Sequence, residues 1–141
     1  PYLCHSEALC DAIKIEPSIA DVIAKSRSAD ITIVGIGETP TLNPEYISRY
    51  YYAEDDIRQL NEAGAVGDIC ANFFDISGRP CNVPFRRRIV GIDISDLHSH
   101  KNVVAISGGP KKYRSVLGAL RGGYVSVLIT DRFTAEAVLN S

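Results

Sequence analysis

The stretch 102–139, NVVAISGGPKKYRSVLGALRGGYVSVLITDRFTAEAVL, decides the fold. Val103 to Ile106 is a short, mostly β-branched apolar run, and Lys111 to Leu120 carries apolar residues at helical spacing. Tyr124 to Ile129 is a second apolar run, and Arg132 to Leu139 is helical again, with Gly108-Gly109 and Gly122-Gly123 marking the joints. Strands apolar on both faces that alternate with amphipathic helices predict a parallel sheet with right-handed crossovers. The fold class is therefore α/β, a Rossmann-like sheet with flanking helices.

Working outward, Asp30-Ile31-Thr32-Ile33-Val34-Gly35-Ile36-Gly37 reads as another buried parallel strand, stopped by glycines where its carboxyl end opens into a loop. Ser6 to Ile15 predicts a short helix capped by Ser6. Pro17 then breaks the chain, and Ser18-Ile19-Ala20-Asp21 resembles a capping box that starts a second helix ending near Ser28. Glu38 to Tyr52, with Pro40, Pro44 and three consecutive tyrosines, reads as a long irregular loop. Ala53 to Ala63 predicts a helix whose Glu54, Asp55 and Asp56 suit the positive end of its dipole, with Gly64 as its stop. Val66 to Phe74 and Arg88 to Ile94 look like strands joined through the turn Asp75 to Pro80, a small β excursion from the α/β layout.

At 141 residues, 45% of them hydrophobic, the whole of 1–141 reads as a single domain with one core. Fifteen basic residues stand against 17 acidic ones, and no dense cationic stripe extends beyond Arg86-Arg87-Arg88, which argues against direct DNA binding by this segment. Apolar runs such as Val125 to Ile129 fall far short of the roughly 20 residues a membrane span needs. The opening Pro1-Tyr2-Leu3-Cys4-His5-Ser6 lacks an initiator Met and the features of a secretory signal, so the chain is expected to be a segment of something longer. Cys4, Cys10, Cys70 and Cys81 form no CxxC pair and predict reduced thiols in a cytoplasmic protein. Cys4, His5 and Cys10 match no common zinc spacing, and His98 and His100 fit surface roles, so no metal is expected.

Two glycine segments end strands. Ser107-Gly108-Gly109-Pro110-Lys111-Lys112 joins a strand to a helix, where exposed backbone amides, the helix dipole and a lysine suit an anion; the same glycines also serve as a plain turn. Gly35-Ile36-Gly37-Glu38-Thr39 either lines a crevice at the strand end or simply turns the chain. Neither matches a nucleotide-hydrolase phosphate loop or a dinucleotide fingerprint, so no cofactor is expected. Asp68, set beside Ile69, Phe73 and Phe74, is a candidate buried carboxylate that either polyol hydroxyls or backbone amides would satisfy. Tyr50, Tyr51 and Tyr52 suit a sugar stack, a pocket wall or a subunit contact, and one of Arg86-Arg87-Arg88 could reach a phosphate. Asp68 and Glu38 are the only candidate bases, and no histidine accompanies them, so no residue is read as catalytic.

The ordered motifs Gly64-Ala65-Val66-Gly67-Asp68-Ile69, Phe73-Phe74-Asp75, Gly78-Arg79-Pro80 and Val90-Gly91-Ile92 carry a resemblance, as do Ala105-Ile106-Ser107-Gly108-Gly109 with Lys112, Gly118 to Gly123 and Val127 to Asp131. Together with Pro1-Tyr2 and Val34-Gly35-Ile36-Gly37, nearly the whole chain resembles the sugar-binding domain of SorC-type bacterial transcriptional regulators. The resemblance implies an effector-sensing domain related in fold to phosphosugar isomerases and glucosamine-phosphate deaminases, in a homodimer or homotetramer. It implies a sugar or sugar-phosphate effector, with DNA contacted only through a helix-turn-helix that 1–141 does not contain. This chain would be the carboxyl-terminal part of the effector domain. By the same resemblance Lys112 is the phosphate-contacting lysine and Asp68 the acid that bonds sugar hydroxyls. Gly35, Gly37, Glu38, Gly108 and Gly109 complete the expected ligand-binding set. An enzyme of the isomerase or deaminase class is the competing reading, since such folds host both functions. A pure oligomerisation module is a third.

Overall fold

The computed structural model describes residues 2–40 and 52–141. Helix α1 (Glu7–Lys14) starts at Ser6, whose Oγ accepts a hydrogen bond from the Leu9 amide at 3.2 Å. Helix α2 (Pro17–Arg27) includes Pro17 rather than beginning after it. Proline has no amide to lose at the first helical position, and its fixed φ is helical, so the residue read as a break is the start.

Strand β1 (Thr32–Gly35), β5 (Val103–Ile106) and β6 (Val127–Ile129) form a parallel sheet in the order β1-β5-β6, in register Val34↔Ala105↔Leu128. Helix α4 (Tyr113–Arg121) joins β5 to β6, and α5 (Arg132–Leu139) follows. This is the α/β layout expected from 102–139. Val34, Val103 and Ala105 of one face join Ile94, Leu97, Val116 and Ala119 in the main core. Val104 is half-buried, and Ile33, Ile106, Val127 and Ile129 on the other face are exposed by 48–69%, so among the described residues the sheet is covered on one side only.

A second, antiparallel sheet is the β excursion: β2 (Gly37–Glu38), β3 (Ala65–Ile69) and β4 (Asn72–Asp75), in that order. Helix α3 (Glu54–Glu62) leads into it and stops at Gly64, whose φ of +72° is the left-handed stop a glycine allows. The expected strand 66–74 is in fact a hairpin. Cys70 and Ala71, with φ of +53° and +61°, turn the chain in two residues, a geometry normally signalled by Asn-Gly. Two local bonds hold it: the Ala71 amide donates to Asp68 Oδ2 at 2.9 Å, and Asn72 Nδ2 donates to the Cys70 carbonyl at 3.0 Å.

The expected strand Arg88 to Ile94 is not one. Pro84–Arg88 and Ile94–Ser99 are 3-10 helices, and Asp93 caps the second through the Ser95 amide at 3.0 Å. Between them Ile89 makes a single bridge with Leu3. The isoleucines that mimic a strand pattern are core anchors on helical turns and a loop. Phe73 and Phe74 point to opposite faces of β4 and join the main core to a second one, in which Tyr52, Phe73 and Phe85 pack edge to face at 5.3–6.4 Å.

Candidate functional site

The chain leaves the parallel sheet at Gly35 and enters the antiparallel one at Gly37, so the buried Ile36 is where the two sheets meet. Its carbonyl is the hub of the site. Ser107 Oγ, just beyond β5, donates to it at 3.2 Å, and Lys112 Nζ, at the amino end of α4, donates at 3.0 Å. The same ammonium lies 3.7 Å from Glu38 Oε1.

Asp68 stands opposite Gly37 in the β2–β3 register. A methyl group on Gly37 would overlap Asp68 Oδ1, so glycine there is what leaves room for the carboxylate. Burial pushes the Asp68 carboxyl up to about 6, against the downward pull of the Ala71 amide and the Lys112 charge. Helix α4 is held close to β3 by small residues, because a Cβ on Gly67 would overlap that of Ser115. This close docking brings Lys112 to the end of the antiparallel sheet.

A cavity of about 600 Å³ opens over these groups. Of the seven residues expected from the sequence, Gly37, Glu38, Asp68 and Lys112 line it together. Gly35, Gly108 and Gly109 lie outside its lining. The Gly109 amide donates to Asp131 Oδ2 at 2.6 Å, and Asp131 also caps α5 through the Thr134 amide at 2.9 Å. Bonds from Thr134 and then Gly109 hold the Asp131 carboxyl down at about 2. The anion at this glycine loop is thus the protein's own carboxylate.

Tyr52 lines the cavity, while Tyr50 and Tyr51 lie outside the described residues. Tyr2, Ser26 and the wall Ile89 to Ile92 also line it and are not among the site residues expected from the sequence, since no local pattern marks a residue that joins a site only through tertiary packing. Cys70 and Ala71 line it as well; the positive φ that would single them out is invisible in a Cys-Ala pair. Among the described residues no group of acids, cysteines and histidines could hold a metal ion, and no helix is long and apolar enough to cross a membrane.

A family profile described as "Putative sugar-binding domain" matches residues 1–140. The deoxyribonucleoside regulator of Bacillus subtilis is 34% identical over 123 residues, which is 86% of this chain and 38% of that protein. The crystal structure of the full-length sorbitol operon regulator SorC from Klebsiella pneumoniae superposes with a TM-score of 0.87 at 29% identity, over 99% of this chain and 44% of that one. A transcriptional regulator from Streptococcus pneumoniae gives 0.86 at 28% identity, over 99% and 53%. The chain therefore spans about half, or less, of the proteins it matches.

Proposed function

We propose, from the premise that this chain belongs to the sugar-binding domain family of SorC-type regulators, that it senses a sugar or sugar phosphate on behalf of a bacterial transcriptional regulator. The observation that carries this reading is the meeting of Asp68, Glu38 and Lys112 in one cavity at the end of β1. A desolvated carboxylate accepts hydrogen bonds from vicinal hydroxyls, and an ammonium donates to a ring or phosphate oxygen. Each such charge-assisted bond contributes about 1.5–3 kcal/mol.

The rest of the reading concerns the larger protein. The chain acts as the carboxyl-terminal part of an effector domain related in fold to the phosphosugar isomerases, in a cytoplasmic homodimer or homotetramer that contacts DNA through a separate helix-turn-helix. The open face of the parallel sheet supports this, because such sheets are ordinarily covered on both sides and the matched regulators carry as much polypeptide again. Effector binding shifts the oligomer between two states that differ in operator affinity, which requires that the effector prefer one of them.

The test is a thermal-shift screen of the whole regulator against free sugars and sugar phosphates, with Lys112→Ala and Asp68→Asn beside the parent. A ligand-selective rise in Tm that both variants lose supports the reading. No rise with any compound, or a rise both variants keep, removes this cavity as the effector site. One observation favours the enzyme reading: a carboxyl pushed up to about 6 is poised for proton transfer. Turnover of pentose or hexosamine phosphates, abolished by Asp68→Asn, would decide for it.

A further inference from the structure

Behind the wall Ile89 to Ile92 lies a second cleft, of about 400 Å³. Three cationic side chains from three separate elements line it: Lys14 from the last turn of α1, Arg27 from the last turn of α2, and Arg86 from the 3-10 helix Pro84–Arg88. Among the described residues Asp93 is the only carboxylate in the lining, and it is paired with Arg86 at 2.5 Å. Arg27 is paired at 3.0 Å with Asp96, outside the cleft. Each guanidinium has five donors, so one carboxylate partner apiece leaves others for a ligand. Among the described residues the charge in this cleft is the reverse of that in the effector cavity, where Glu38 and Asp68 outnumber Lys112.

Two further features describe the cleft. Helix α2 contributes Ala20, Ile23, Ala24 and Arg27 to the lining, with Ala20 and Ile23 half-buried there. At Gly91 an added Cβ would meet nothing within 4 Å, and its φ is not in the left-handed region, so neither packing nor backbone conformation demands glycine there. A bare backbone at the edge of a cavity allows close approach by a ligand.

We propose that this cleft is a second anion site, which takes a phosphate group on Lys14, Arg27 and Arg86. Ile89, Gly91 and Ile92 also line the effector cavity, and Ser26 of α2 faces it, so occupancy of either cleft changes the wall of the other. The anion site stands on its own residues; its coupling to the effector rests on the function proposed above.

The test is a calorimetric titration of the whole protein with inorganic phosphate against a matched-ionic-strength chloride background. Parent, Lys14→Gln/Arg27→Gln and Lys112→Ala proteins are compared. The expected result is saturable binding that weakens about 10-fold or more in the double variant and survives in Lys112→Ala. Arg27 is 54% exposed, so Arg27→Gln alone serves if the double variant folds poorly. Equal binding by parent and double variant means an adventitious ion only and overturns the proposal. So does loss in Lys112→Ala, which would move the phosphate to the effector cavity and leave that reading intact. Glucose 6-phosphate and glucose identify the source. Phosphate-competable binding of the sugar phosphate to Lys112→Ala, with none of glucose, gives a sugar's phosphate; no such binding gives free phosphate. Both readings apply once phosphate itself binds Lys112→Ala saturably; without that binding the proposal is overturned.

Discussion

Asp68 is a residue kept at a cost to stability. Its carboxyl is raised from 3.8 to about 6 in the folded protein, so the folded state binds its proton more tightly than the unfolded chain does. For an acid raised in this way, stability falls as pH rises from about 4 to about 6, by on the order of 3 kcal/mol, and stays lower above that. Asp68→Asn is therefore expected to raise Tm at pH 7.5 and to leave it nearly unchanged at pH 4. An equal Tm change at both pH values would show that burial is not what perturbs this carboxyl. Asp131 has the opposite sign. Held at about 2 by Thr134 and Gly109, it stabilises the fold above about pH 4 and loses that effect as pH falls through about 2. Asp131→Ala should lower Tm at pH 7, with the difference vanishing near pH 2. Asp68 and Lys112 were both legible in the sequence, one from its apolar neighbours and the other from its glycine loop. What no local pattern could convey is that the glycine loop turns its amide to Asp131 while its lysine turns the other way, to Ile36.

At the scale of elements, the β3–β4 hairpin places Asp68 by a turn that its residues resist. Two non-glycine residues with positive φ cost about 1–2 kcal/mol each, and the Asp68 and Asn72 bonds offset part of this. Ala71→Gly is expected to stabilise the protein by about 1 kcal/mol in denaturant unfolding. Destabilisation would mean that the Ala71 methyl packs usefully in the cavity wall. The helices and the parallel strands were readable because periodicity and glycine punctuation agree there. The hairpin and the two 3-10 helices were not, because Cys-Ala carries no turn signal and Val90, Ile92 and Ile94 alternate as a strand would while Ile92 and Ile94 serve as core anchors on a loop and a helical turn.

At the scale of the molecule, the cavity lies where the parallel sheet gives way to the antiparallel one, with Ile36 between them. Ligands in open α/β sheets bind just outside the carboxyl ends of the strands, and the end of β1 is such a place. The uncovered sheet face carries its own prediction. Ile106→Lys, at a residue 53% exposed here, should leave the unfolding free energy of 1–141 nearly unchanged and destabilise the whole regulator by about 2 kcal/mol or more. Equal tolerance in both would mean that the remaining polypeptide does not cover this face. The central claim concerns Asp68 and Lys112, and calorimetric titration of the proposed regulator with the sugar or sugar phosphate that the thermal-shift screen selects tests it most directly. The account predicts that Asp68→Asn and Lys112→Ala each weaken binding about 10- to 150-fold, with the fold intact by circular dichroism. Unchanged affinity in both variants would contradict it.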